Sequence, residues 1–191
     1  MTWNERHARL PPQPADRWLT SLGPLLGSTL PGPVLDVACG QGRNALWVAG
    51  LQRVDAPSIV GVDASEVAVS RARAEGARLR LRVRFEVRDV SSQGLPQGDW
   101  GAILVFHFLD RSLFPALQSA LAPGGLLAYK THLRHPLRGA AARPRLPAFL
   151  LDSGELLAAF PALRILEYRE SAAPGHALST LLAWRPATQS R

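Results

Sequence analysis

The sequence predicts an α/β fold: a doubly wound, mostly parallel sheet of seven strands with a C-terminal antiparallel hairpin. Three observations lead there. Short apolar runs alternate with helix-like segments for five rounds, the pattern of a parallel sheet covered on both faces. The first run ends in a glycine turn that opens a helix. Two strand-like runs, 163–170 and 176–185, close the chain around Ser-Ala-Ala-Pro-Gly, a spacing that suits an antiparallel pair.

Taken in order, the chain to about Pro33 is rich in proline and glycine and carries Trp3 and Trp18. Within it, residues 15–22 read as a short helix stopped by Gly23-Pro24. VLDVA (34–38) is a short apolar run suited to a strand buried on both faces. GQGRNALWVAGL follows as a glycine turn and a helix with Leu46, Val48 and Ala49 facing inward. SIVGVDAS (58–65) repeats the strand-then-turn character, and Ser65 caps a helix that Gly76 closes. From Arg78 to Phe85, arginines alternate with apolar residues, which predicts a strand with one buried and one solvated face. Such arginines also discourage edge-to-edge pairing.

The alternation continues with a strand over 100–108, a helix over 112–122, a Pro123-Gly124-Gly125 turn and a strand over 126–132. The proline- and arginine-rich stretch after it shows no period and predicts a long loop. A short helix follows Asp152, ended by Pro161. The organisation expected is an N-terminal segment, 1–32, closing over the site, a single domain over 33–186 and a tail, 187–191.

Composition narrows the class. The chain has 191 residues, 47% hydrophobic and 19% charged, enough to bury a real core. A single cysteine, Cys39, excludes an internal disulfide and a cysteine-only metal cage. No apolar run approaches the ~20 residues of a membrane span, and the N-terminus lacks a signal-peptide core. The expectation is a cytoplasmic protein, monomer or homodimer, without a membrane partner. The net charge of +7 comes from arginines spread over the whole chain, with Lys130 the only lysine. It permits nucleic-acid binding without favouring it.

The chemistry concentrates in residues 34–45, VLDVACGQGRNA. Gly40 and Gly42 admit a ligand close to the backbone, and the following helix start offers N–H groups. Residues 40–45 also match the dinucleotide fingerprint, with Asp63 at about the right distance for a ribose. Three features favour another cofactor. Asp36 is a carboxylate in an apolar strand and needs a partner, which a bound ammonium would supply. Asp89 ends the third strand unit, where it could accept from an adenine amine. The Pro-Gly-Gly turn and the terminal hairpin are untypical of dehydrogenases.

VLDVACGQGRNALWVA resembles motif I of the class I S-adenosylmethionine-dependent methyltransferases, whose usual form is D-x-G-x-G-x-G. VGVDAS resembles their ribose-binding motif, RFEVRDV the adenine-side motif, and LAPGGLLAYKT the late Pro-Gly-Gly turn and strand. Gly-Arg-Asn, HFLDRSLFPAL and PAFLLDSGELLAAF resemble the small tellurite-resistance-like methyltransferases. The resemblance implies a Rossmann-like fold and S-adenosylmethionine as cofactor. It assigns the methionine moiety to Asp36 and the backbone of Ala38, Cys39, Gly40 and Gly42, with Arg43 and Asn44 at the helix start. Asp63 takes the ribose, Ala64 and Ser65 lie near the adenine, and Asp89 and Val90 read its edge. Phe106 and His107 line the site near the sulfonium, His107 being the candidate base. The family's first glycine is Ala38 here, tolerable if its backbone avoids the left-handed region.

The implied activity is methyl transfer to a small-molecule acceptor such as a thiol, a metalloid or another anion. Arg134, Arg138, Arg143 and Arg145, in the loop after the fifth strand, would favour an anionic substrate. Two rival readings remain open: a methyltransferase acting on RNA or protein, and a non-catalytic cofactor-binding or interaction protein in which Ala38 marks decay. His132 and His135 form an H-x-x-H pair at a strand end, which is not a helix-borne zinc motif; no metal is expected.

Overall fold

The computed structural model describes residues 2–28, 30–51, 58–135 and 147–187. Three short helices come first: α1 (Trp3–Arg9), α2 (Arg17–Ser21) and α3 (Gly23–Leu26). The alternating part comprises β1 (Val34–Val37), α4 (Arg43–Leu51), β2 (Ile59–Asp63), α5 (Glu66–Arg78), β3 (Val83–Val87), α6 (Val90–Gln93), β4 (Trp100–Phe106), α7 (Phe114–Ala120) and β5 (Leu121–His132). α8 (Glu155–Ala158) and the hairpin β6 (Arg164–Ala173) and β7 (His176–Trp184) complete it. The seven strands form one sheet in the order β3-β2-β1-β4-β5-β7-β6. β1 to β5 are parallel, and β7 inserts antiparallel between β5 and β6. The expected doubly wound sheet and terminal hairpin are therefore present.

Alternate strand residues feed two cores. Leu35, Val37, Ile103, Val105, Leu127 and Tyr129 point to the face covered by α7 and α8, where Phe114, Leu117 and Phe160 pack. Val34, Ile59, Ala102, Leu104 and Phe106 point to the other face, against α2, α3, α4 and α5. The period-two switch between faces turns a continuously apolar strand into a two-sided interface. The strand order reverses between β1 and β4, which opens a crevice at the carboxyl ends of these strands. No helix among the described residues is long and apolar enough to cross a membrane.

Several boundaries differ from the expectations. Gly23-Pro24 does not end the helical region; Pro24 sits in the first turn of α3, where its missing N–H costs nothing. Gly76 does not close α5, which runs on to Arg78. A Cβ at Gly76 would lie 3.1 Å from Val83, so the glycine serves close packing. Arg80, with φ 54°, makes the turn, and β3 begins only at Val83. Good helix formers carry the chain past the point where arginine alternation begins. The Pro-Gly-Gly segment lies inside β5, as an irregularity in its pairing with β4, and β6 extends through Ala173.

Gly101 anchors the loop before β1. Its N–H donates to the Pro33 carbonyl at 2.8 Å, and a Cβ there would lie 2.3 Å from the Gly32 carbonyl oxygen. Backbone cannot yield as a flexible side chain can. Gly101→Ala is expected to destabilise the protein by about 3 kcal/mol in urea unfolding.

Candidate functional site: a glycine turn under an N-terminal cover

β1 and β2 end side by side and deliver two carboxylates to one turn. The turn that leaves β1 has three left-handed residues, Ala38 (φ 53°), Gly40 (φ 56°) and Gly42 (φ 78°). A side chain at Gly42 would bring Cβ within 2.6 Å of the Phe85 ring; its absence lets α4 start close to the sheet. Ala38 corrects the expectation that its backbone avoids the left-handed region. The residue occupies that region, with its methyl group strained against the following carbonyl.

Asp36 is buried, and its Oδ2 accepts from the Ala45 N–H at 3.1 Å. Its partner within the protein is thus the first turn of α4. Burial pushes its carboxyl up to about 7, against the pull of the Ala45 N–H and the Arg43 charge, with Asp63 adding to the rise. Asp63, also buried, joins the two motifs directly. Its Oδ2 accepts from the Gly40 N–H and its Oδ1 from the Ser65 N–H, each at 2.8 Å. Ser65 Oγ accepts from the Ala68 N–H at 3.2 Å, the expected cap of α5. Cys39 is buried, and burial pushes its thiol up, which leaves it unreactive.

The N-terminal segment lies across this turn. Thr2 and Glu5 close a capping box on α1. Asn4 Oδ1 accepts from Ser65 Oγ at 2.7 Å. The Arg71 guanidinium donates to the carbonyls of His7, Ala8 and Leu10 at 2.7, 2.9 and 3.0 Å. Gln41 donates to those of His7 and Leu10, and Arg43 to that of Pro14. His7 stands over Gly40: a Cβ on that glycine would lie 3.2 Å from its Cε1. Its Nδ1 is buried with no hydrogen-bond partner. Burial holds this imidazole below its ordinary value although Asp63 pulls upward. A concavity of about 280 Å³ between the starts of β2 and β3 lies at the opposite end of the strands.

A second polar group occupies the ends of β4 and β5. Asp16 is buried and accepts from Lys130 Nζ at 2.8 and 3.0 Å. Its N–H donates to Asn44 Oδ1 at 3.0 Å, tying the segment to α4. Burial opposes its ionisation, yet hydrogen bonds from His107 and Lys130 and the lysine charge hold its carboxyl well below the usual carboxylate range. Residue 16 carried no role in the sequence reading. Two signals pointed to it: an aspartate ahead of RWL, and the chain's only lysine inside an apolar strand.

The other candidate residues are placed as follows. Asp89 is exposed and caps α6, accepting from the Ser91 N–H and the Ser92 hydroxyl. Val90 is buried in the core below it, and Ala64 is exposed. Phe106 is buried with its ring 5.8 Å from Trp18. Arg134 pairs with Asp152 at 2.9 Å, while Arg138, Arg143 and Arg145 lie outside the described residues.

Residues 34–125 match the profile of the methyltransferase domain family, a span that holds both carboxylates and the glycine turn. That span, a little under half of the chain, is similar to the methyltransferase domains of the class I S-adenosylmethionine-dependent kind. It is 32% identical over 108 residues to phosphoethanolamine N-methyltransferase 3 of Arabidopsis thaliana, covering 54% of this chain and 21% of that protein. It is 36% identical over 106 residues to methyltransferase GfsG of Streptomyces halstedii, covering 50% and 36%. The methyltransferase therefore spans well under half the length of these curated relatives. Among solved structures, TehB from Haemophilus influenzae superposes with a TM-score of 0.73 at 18% identity, covering 89% of this chain and 62% of that one. Magnesium protoporphyrin IX methyltransferase from Synechocystis, solved with bound SAH, gives 0.66 at 15% identity, covering 88% and 82%. These two likenesses establish the fold.

Two measurements test the physics of the turn. Ala38→Gly is expected to raise stability by about 0.5–1 kcal/mol, since glycine removes the left-handed strain but adds unfolded-state entropy. Thermal denaturation reads this. The folded value of about 7 at Asp36 lies above the ordinary ~3.9 of an unfolded aspartate. The folded state thus holds the extra proton, and its stabilisation is complete below about pH 4 and lost as pH rises through 7. Asp36→Asn is expected to flatten that fall in urea unfolding at pH 5 and pH 8.

Proposed function

We propose that this methyltransferase transfers the methyl group of S-adenosylmethionine to a small-molecule acceptor. The reading rests foremost on Asp63, whose carboxylate faces the glycine turn from the end of the neighbouring strand. Bound there, the cofactor supplies an electrophilic methyl on a sulfonium; the protein has to hold it, align the acceptor and exclude water. The residues fit such a group. Asp63 offers oxygens for ribose hydroxyls, Gly40 carries no Cβ, and the orphaned His7 Nδ1 above it accepts a hydroxyl proton.

In this reading Asp36, Ala38, Cys39, Gly42, Arg43 and Asn44 shape the methionine end through the backbone. Ala64, Ser65, Asp89 and Val90 flank the adenine, and Phe106 closes the floor near the sulfonium. The segment 1–32 is the cover. Because His7 stands over Gly40, α1 must swing aside as the adenosyl group enters and then close on it. The phosphoethanolamine methyltransferase likeness supports a small acceptor. Thiols, metalloids and other anions are the classes to screen.

Calorimetric titration with S-adenosylhomocysteine tests the cofactor assignment. Micromolar binding by the wild type and at least about tenfold weaker binding by Asp63→Ala are expected, the loss of charge-assisted hydrogen bonds. A folded wild type that takes up no S-adenosylhomocysteine would remove the reading.

A further inference from the structure

Two histidines meet where β4 and β5 leave the sheet. His107 Nδ1 lies 3.3 Å from His132 Nε2, with the ring centroids 5.1 Å apart. His107 Nε2 lies 3.6 Å from Asp16 Oδ2, and Asp16 is itself clamped by Lys130. We propose that His107 and His132 form a paired general base that takes the proton of a neutral hydroxyl or thiol acceptor during methyl transfer, with Asp16 and Lys130 as positioning residues. The proposal rests on the methyltransferase reading above and narrows its acceptor class.

The location comes first. His107 directly follows Phe106 at the end of β4, the strand paired with β1 across the reversal of strand order. The Asp16 N–H bonds Asn44 in the first turn of α4, so the pair adjoins the glycine turn. The His107 side chain is 32% exposed, which leaves it open to a small molecule.

The proton arrangement follows from the partners. Asp16 is an ionised acceptor that Lys130 and the Trp18 N–H hold in place, so His107 presents Nε2–H toward it. That leaves the His107 Nδ1 lone pair to accept from His132 Nε2–H. A proton gained by the pair becomes one shared imidazolium charge beside the Asp16 carboxylate. Lys130 keeps that carboxylate from being an uncompensated buried charge when both rings are neutral. His107 also adopts φ 60°, unusual for any residue but glycine or asparagine, and its N–H is fastened to the Lys130 carbonyl at 2.7 Å. One strand residue thus holds both the base and its counter-ion.

The step balances. A lone pair of the acceptor oxygen or sulfur forms the bond to the methyl carbon as the carbon–sulfonium bond breaks, its electron pair staying on sulfur. The acceptor displaces His132 from His107 Nδ1 and its proton passes to that nitrogen. The positive charge of the sulfonium therefore reappears as an imidazolium facing Asp16. An acceptor that arrives already ionised has no proton for this device to take.

The test has a readout independent of turnover. In the ligand-free protein, the histidine ring ε1 resonances followed by NMR against pH should show two coupled steps for the pair. His132→Gln should collapse them to one and move the His107 midpoint; an unmoved midpoint would overturn the pairing. Asparagine tolerates the backbone of residue 107, so His107→Asn is the companion variant, and circular dichroism checks that each variant folds. For turnover, labelled S-adenosylmethionine is offered with 2-mercaptoethanol, phenol or sodium selenite. Transfer to the thiol or the phenol is expected, rising with pH through the pair's midpoint. A loss of about 100-fold is expected in both variants, with S-adenosylhomocysteine binding unchanged. Transfer to selenite alone, to none of the three, or undiminished in both variants overturns the proposal. Absent S-adenosylhomocysteine binding in the wild type would instead remove the methyltransferase reading, leaving the NMR titration to judge the pair.

Discussion

The buried carboxylate of Asp16 is the constraint on which the rest of the arrangement leans. It stands 114 positions before Lys130, yet the two are in direct contact. A buried charge without its counter-ion costs several kcal/mol, so the N-terminal segment cannot leave this place without exposing or neutralising the pair. The same residue caps α2 through the Trp18 N–H and binds Asn44 through its own N–H. One side chain and one backbone group thereby tie the N-terminal segment, the glycine-turn helix and β5 together.

The remainder of the N-terminal cover is held by weaker means. Arg71 and Gln41 grip carbonyls of residues 7–10 that no helix or strand satisfies, an answer to the need of every backbone acceptor near a buried surface. α1 itself buries no residue fully. Its attachment is polar and replaceable by water, unlike the Asp16 anchor behind it. A firm anchor behind a loosely attached helix is the arrangement that the proposed cover over a nucleoside-sized cofactor would use.

Electrostatics divide the crevice in two. At the β1–β2 side, Asp63 lies close enough to disfavour the charge of Asp36, and helix and turn N–H groups bond both carboxylates. At the β4–β5 side, Asp16 meets Lys130 and two imidazoles. The first half suits hydroxyl and ammonium groups, and the second suits a proton in transit. The sheet brings the halves together by pairing β1 with β4, a contact between segments 68 residues apart at Val34 and Ala102.

The sequence by itself determined what depends on near neighbours. Apolar runs of strand length, Ser65 before a helical stretch, and glycines that free the backbone at a turn are local physics, and the sheet and the α5 cap follow from them. Tertiary structure alone decided the rest. Gly76 reads as a helix stop until Val83 presses on it, and the N-terminus of α4 gives Asp36 an N–H that its place in an apolar strand does not announce. Ala38 takes a left-handed conformation because the turn requires it, whatever residue is present. The Asp16–Lys130 and His107–His132 contacts depend on the three-dimensional return of the chain. The Asp16–Lys130 pair draws its strength from burial, which no single stretch of sequence contains.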